Sequence, residues 1–171
     1  MNLPELDDLL PTADEIDVKT AHGPVTLREF TAGALAFNPW WLKSLYGVRV
    51  VLATVMRLGY VGIPNPKNLR PETLSFTPGA PASFFTVERG EEDHYLLIKV
   101  SDNHLVAYLA FITDNYQPAT FTVVTLVQYL RPAGRLYYRA IKPFHHLVVR
   151  SMCTAGLTTF GGKDLGLAGG Q

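Results

Sequence analysis

The chain is poor in the features that would announce a function. Cys153 is the single cysteine among 171 residues, so an internal disulfide is impossible and zinc sites built on several thiolates are excluded. Net charge is lacking too: 15 Lys and Arg balance 15 Asp and Glu, leaving no overall field to recruit nucleic acid or an anionic membrane. No apolar run crosses a bilayer uninterrupted. The most apolar stretch, Trp40–Ile63, is broken by Lys43, Arg49 and Arg57 and reads as a helix with a wide apolar face. The first residues are acidic, with no basic start and apolar core, so a secretory signal is not expected and the cytoplasm is the default location. Nucleotide, hydrolase and metalloprotease signatures are missing: there is no G-x-G-x-x-G, no G-x-S-x-G and no H-E-x-x-H. The segment Gly156–Asp164 comes near a phosphate loop, but it has an extra glycine before Lys163, no following Ser or Thr, and no preceding strand. Cys153 falls in an apolar helical pattern and reads as a small core residue, not a nucleophile.

What is present is an ordinary globular composition, 47% apolar and 18% charged. A chain of this length fits one domain and buries roughly 70% of its unfolded surface. A single domain is expected over residues 1–160, followed by a flexible Gly-rich tail at 161–171. The charges are unevenly spread. Residues 1–29 carry Glu5, Asp7, Asp8, Asp14, Glu15, Asp17 and Glu29 against Lys19 and Arg28; residues 131–171 carry Arg131, Arg135, Arg139, Lys142, Arg150 and Lys163 against Asp164. These are either two solvated faces or an acidic N-terminal segment lying against a basic C-terminal helix.

Residues 1–13, with Pro4 and Pro11, read as an irregular arm. Ile16–Thr20 and Val25 suggest an edge strand punctuated by His22-Gly23-Pro24. Thr26-Leu27-Arg28-Glu29 has the capping-box spacing and opens a helix to about Phe37. Asn38-Pro39 opens a second, with proline at the first helical position, where its missing amide costs nothing. Trp41, Leu45, Val48, Leu52, Val55 and Gly59 share one face of it, and it should end near Leu58–Tyr60. The proline-rich connection to Ser83 is unusually long, with a short strand expected around Thr73–Thr77. Four strand-like runs follow: Phe84–Arg89, Tyr95–Ser101, His104–Thr113 and Thr120–Leu130. Their short connections force an antiparallel meander, with Asp102-Asn103 as a two-residue turn whose side chains tolerate positive φ. The third run is apolar on both alternating faces, so it should be central and covered on both sides, or bound to a partner on one. Pro132-Ala133-Gly134 should then break the chain. Arg135–Lys142 and Pro143–Ala155 follow, as two helices or one bent at Pro143, with Gly156 as the stop. The predicted class is α+β and helix-grip-like: an antiparallel β-meander wrapped on a long C-terminal helix, with a helix pair near the N-terminus.

Three blocks carry a resemblance. They are Asn38-Pro39-Trp40-Trp41 leading to Leu45 and Val48-Arg49; Asp102-Asn103-His104-Leu105; and Gly134-Arg135-Leu136-Tyr137 with Pro143-Phe144-His145. In order and spacing the chain resembles the uncharacterised bacterial family numbered 2867 among the domains of unknown function. The resemblance implies a compact α+β protein similar to helix-grip (plant-allergen and START-like) proteins. Relatives occur alone or attached to a reductase-like nucleotide-binding domain, for which this chain has no room. It implies no activity, no cofactor and no functional residues.

The candidate chemistry is therefore read from the residues. Asp102 and His104 sit one strand step apart at a hairpin, where a carboxylate can orient an imidazole; the simpler alternative is that Asp102 shapes the turn and His104 bonds to backbone. His145 and His146 point about 100° apart on a helix and do not share a metal ion, so no metal site is expected. His145 either bonds in the first turn of its helix or lines a cavity. Trp40, Trp41, Tyr108, Phe111, Tyr129 and Phe144 are candidates to line an apolar pocket, with core filling as the competing role. Arg49, with Arg135 and Arg139, would meet an anionic group at the rim. Three functions follow: a protein binding a small apolar or amphipathic molecule between sheet and C-terminal helix; a cyclase- or hydratase-type enzyme using His104 with Asp102; or a non-catalytic interaction module that pairs as a homodimer through the outer face of Leu105–Ile112.

Overall fold

The period-two patterning of the central third becomes the middle of a six-stranded antiparallel sheet in the computed structural model, which describes residues 3–55 and 69–161. The strands are β1 (Glu15–Gly23), β2 (Pro81–Ala82), β3 (Phe85–Glu91), β4 (Tyr95–Ser101), β5 (Leu105–Thr113) and β6 (Ala119–Tyr129). They lie in the order β1-β6-β5-β4-β3-β2. The meander β3 to β6 is thus the sheet's body, β1 adds to β6, and the two-residue β2 closes the far edge. A register shift between Val87 and Arg89 opposite Ile98 and Leu97 puts a bulge into β3, which increases the local twist.

Three helices complete the fold: α1 (Leu27–Ala36), α2 (Trp40–Val55) and α3 (Pro132–Thr158). The capping box at the start of α1 forms as its spacing demands, with the Glu29 amide donating to Thr26 Oγ1 at 3.2 Å and the Thr26 amide to Glu29 Oε2 at 2.8 Å. One sheet face packs on α1 and α3 through Phe30, Phe111, Phe121, Val123, Leu96, Ile98, Val149 and Cys153. Phe30 stacks on Phe121 at 4.2 Å between ring centroids and meets Phe111 edge-on at 6.2 Å. The other face carries Leu97, Ala110, Ile112, Val124 and Leu126, covered by Leu3 and Leu6 of the N-terminal arm. The two-faced apolar character of β5 is explained by its interior position and by that arm, which two 3-10 turns at Pro4–Leu6 and Leu10–Thr12 stiffen. Arg89 holds the arm in place by pairing with Asp8 and donating to the Glu5 carbonyl at 2.9 Å.

Four expectations are corrected. The break at Pro132–Gly134 is instead the start of α3, with Pro132 in the first turn, where it lacks only an amide that has no helical partner. Of the two readings at Pro143 the single helix holds, but it does not stop at Gly156 and continues to Thr158. No strand forms at Thr73–Thr77; Pro71–Thr73 is a 3-10 turn and the edge strand comes later, at Pro81. Positive φ occurs at Ser83, Asp93 and Asn115, not at Asp102 or Asn103. The expected end of α2 at Leu58–Tyr60 lies outside the described residues, as does the tail from residue 162.

The glycines that looked like breakers serve close approach. A Cβ on Gly134 would stand 2.3 Å from the His104 carbonyl oxygen, and one on Gly156 would stand 2.7 Å from that of Phe30. Gly33 of α1 faces Gly156 in turn, its Cβ position 3.1 Å from the Gly156 Cα. Backbone cannot retreat as a flexible side chain can. Replacing Gly156 with Ala should therefore cost about 1–3 kcal/mol of overpacking, seen as a lower urea midpoint. Gly47→Ala is the control: nothing lies within 4 Å of its Cβ position in α2, so it should stabilise by up to about 1 kcal/mol through helix propensity.

Candidate functional site

Between α3 and the inner sheet face the packing does not close. A cavity of about 230 Å³, partly open to solvent, remains there. Its walls come from α1 (Ala34, Leu35), the start of α2 (Leu42), the β5 and β6 inner face (Ala107, Leu109, Thr125, Val127) and α3 (Tyr137, Tyr138, Ile141, Val149), with Phe84 and Phe85 at one side. The lining is almost wholly apolar and aromatic. No Asp, Glu, Lys or Arg lines it among the described residues.

Two side chains in that lining carry a buried polar atom without a partner. Thr125 is only 3% exposed and lies on β6 opposite Leu109 of β5 and Asp17 of β1. Its hydroxyl oxygen and the Nε2 atom of His145 are both buried without a hydrogen-bond partner among the described residues. Leaving such a group unpaired costs roughly 1–3 kcal/mol each, so they stand out in a wall of mainly apolar and aromatic side chains. Burial lowers the His145 pKa to about 4, the nearby Asp17 charge opposing it only in part; the imidazole is neutral at physiological pH.

Behind this polar end runs a seam of charges joining β1 to α3. Glu15 accepts from Lys142 Nζ at 2.6 Å and from the Tyr129 hydroxyl at 3.2 Å. Asp17 pairs with Lys19 and lies 3.2 Å from His146 Nδ1. Burial works to raise the Asp17 pKa, but the Lys19 hydrogen bond and the charges of Lys19 and His146 outweigh it and hold the carboxyl below its usual range. The acidic N-terminal and basic C-terminal segments therefore do meet.

The expected site residues divide. Tyr108, Phe144 and His145 border the cavity; Tyr108 also packs into the cluster on the opposite sheet face. Phe111 is fully buried against Phe30, away from the cavity. Trp40 is 79% exposed, and Trp41 packs edge-on against Phe37 at 5.8 Å. Tyr129 points to Glu15, and Arg135 lies over its ring at 6.0 Å. The Arg49 side chain lies outside the described residues. Asp102 and His104 are brought together, with His104 Nδ1 2.6 Å from Asp102 Oδ1, but neither lines the cavity. The same carboxylate oxygen accepts the amides of His104 and Leu105 at 2.9 and 3.1 Å, and the His104 carbonyl accepts those of Leu130 and Arg131. The imidazole packs edge-on against Tyr137 at 5.1 Å. The pair thus ties the β4–β5 turn to the junction of β6 and α3.

Thr125 escaped sequence reasoning although a signal was there. In the middle of β6 the inward residues are Phe121, Val123, Thr125 and Val127, and Thr125 is the polar one among them. Cys153 is buried, with its thiol pushed up to about 11 by that burial, so it is not a nucleophile at neutral pH. Among the described residues no group of three or more His, Cys, Asp or Glu is placed to hold a metal ion, and no helix is long and apolar enough to cross a membrane.

The depressed His145 pKa sets a pH dependence. Above the ordinary histidine value near 6.5 both folded and unfolded chains carry it neutral. Between there and about 4 only the unfolded chain takes up the proton, so stability falls as pH drops through that window. The loss in urea midpoint between pH 7 and pH 5 should be larger in the native sequence than in His145→Gln.

A search of curated proteins finds no match to the chain. The family described as "Protein of unknown function (DUF2867)" matches residues 9–152, a span that contains every cavity-lining residue.

Proposed function

From the premise that this chain belongs to the DUF2867 family, whose description names no activity, we propose that it binds a small, largely apolar or amphipathic molecule between its sheet and α3. The arrangement is of the helix-grip kind, a curved antiparallel sheet closed by a long C-terminal helix. The observation that carries the reading is the cavity of about 230 Å³ with an apolar wall and two unpartnered polar atoms. A dry apolar cavity of about 150 Å³ accommodates benzene, and scaling from it gives a ligand of roughly nine or ten heavy atoms. The walls are helices and strands of the packed core, which favours a preformed site over one assembled on binding.

The competing readings draw less support. Asp102 and His104 are engaged with backbone and with each other behind Tyr137, where an acid–base pair would have to reach the ligand through the cavity wall. A homodimer formed through the outer face of β5 would have to displace the chain's own N-terminal arm.

Native mass spectrometry of protein purified from its own host should show a bound small molecule, and its absence together with the failure of small aromatic probes to raise the melting temperature would remove the reading. Ala107→Phe is the structural control. The added ring enters the cavity from β5, so binding should fall at least tenfold while the melting temperature holds or rises as the void fills.

A further inference from the structure

The cavity's polar end says more about its occupant than its size does. We infer that the cavity selects an uncharged hydroxyl compound, of small phenol or alcohol size, whose hydroxyl group engages Thr125 Oγ1 and His145 Nε2. The inference rests on the ligand-binding reading and narrows it to a chemical class.

Three observations carry it. First, among the cavity-lining residues the buried polar atoms without partners are Thr125 Oγ1 and His145 Nε2, on β6 and α3. Thr125 offers both a donor and two acceptor positions, and a neutral imidazole nitrogen is either a donor or an acceptor according to tautomer. A ligand hydroxyl, itself donor and acceptor, satisfies both, whereas a plain hydrocarbon satisfies neither. Second, no Asp, Glu, Lys or Arg lines the cavity among the described residues. A carboxylate or ammonium ligand would sit there without a counter-charge, the arrangement that burial penalises most. Third, the charges nearest the polar end are already engaged: Asp17 with Lys19 and His146, and Glu15 with Lys142. Recruiting one to a charged ligand would break a part-buried pair and strand its partner. The aromatic share of the wall, including Phe85, Tyr138 and Phe144, suits a ring edge or face.

The test compares probes of one size on the full chain at pH 7: toluene, p-cresol, benzoate and benzylamine, each titrated by calorimetry. p-Cresol should bind at least tenfold more tightly than toluene, and both charged probes more weakly than toluene. Thr125→Val removes the hydroxyl at nearly constant volume. In that variant the advantage of p-cresol should shrink to within about threefold, toluene should bind as well or better, and the melting temperature without ligand should not fall. If toluene matches p-cresol, or a charged probe binds best, the inference is overturned while the cavity remains a binding site. If none of the four binds the folded protein, the inference is overturned, and the ligand-binding reading falls with it when native mass spectrometry also shows no bound molecule.

Discussion

The fold depends on how closely α3 can approach its neighbours at its two ends, the β4–β5 turn at one and α1 at the other. At the N-terminal end Gly134 lets the helix backbone run beside the His104 carbonyl; at the C-terminal end Gly156 does the same against Phe30 and α1. Backbone-to-backbone contacts of this kind are stiff, because neither partner has a rotamer with which to yield. Between the two clamps the helix meets the sheet through side chains alone. Tyr137, Tyr138, Ile141, Val149 and Met152 reach part of the way, and the unfilled remainder is the cavity. Ordinary cores collapse around such a gap. A helix pinned at both ends cannot, so the void and the glycines have the same cause.

The charged seam gives the cavity its asymmetry. On the side of α3 that meets β1, the inward residues of the strand are Glu15, Asp17 and Lys19, where an edge strand packed under a helix would ordinarily bring Val or Ile. Their partners Lys142 and His146 come from the same helix whose other residues line the apolar wall. One helix therefore separates a hydrocarbon space from an ionic one, with His145 at the boundary. Its adjacent position explains how burial and the Asp17 charge can act on it in opposite directions.

Much of this was legible in the residues. The four meander strands were found to within a residue or two because period-two alternation and turn chemistry agree there, and the Thr26–Glu29 capping box is a local signal that tertiary packing does not override. The acidic and basic ends were visible as composition, but only their meeting at Glu15–Lys142 shows which meaning applies. Glycine and proline misled around α3. As local signals Pro132, Gly134, Pro143 and Gly156 all say stop, whereas three-dimensional contacts use Pro132 as a first-turn residue and the two glycines as clearance. For the site, the aromatic inventory identified Phe144 and Tyr108 but also Trp40 and Phe111, since residue type carries no information on which aromatic faces the void and which fills the core. Thr125 was passed over because a threonine in a strand is unremarkable until its neighbours on the same face prove to be Val and Phe.

The two edges of the sheet differ from its apolar interior in a way that bears on the fate of the folded chain at high concentration. At one end stands a two-residue strand that begins with Pro81, a residue with no amide to offer a neighbour. At the other, β1 is unpaired on its outer side among the described residues, yet Glu15, Asp17 and Lys19 on its helix-facing side are charged, and the two carboxylates pair with Lys142 and His146 of α3. A foreign strand docking there would gain backbone hydrogen bonds but find charge where a growing sheet needs hydrocarbon. The ionic seam beside the cavity thus also makes this edge a poor template for sheet extension.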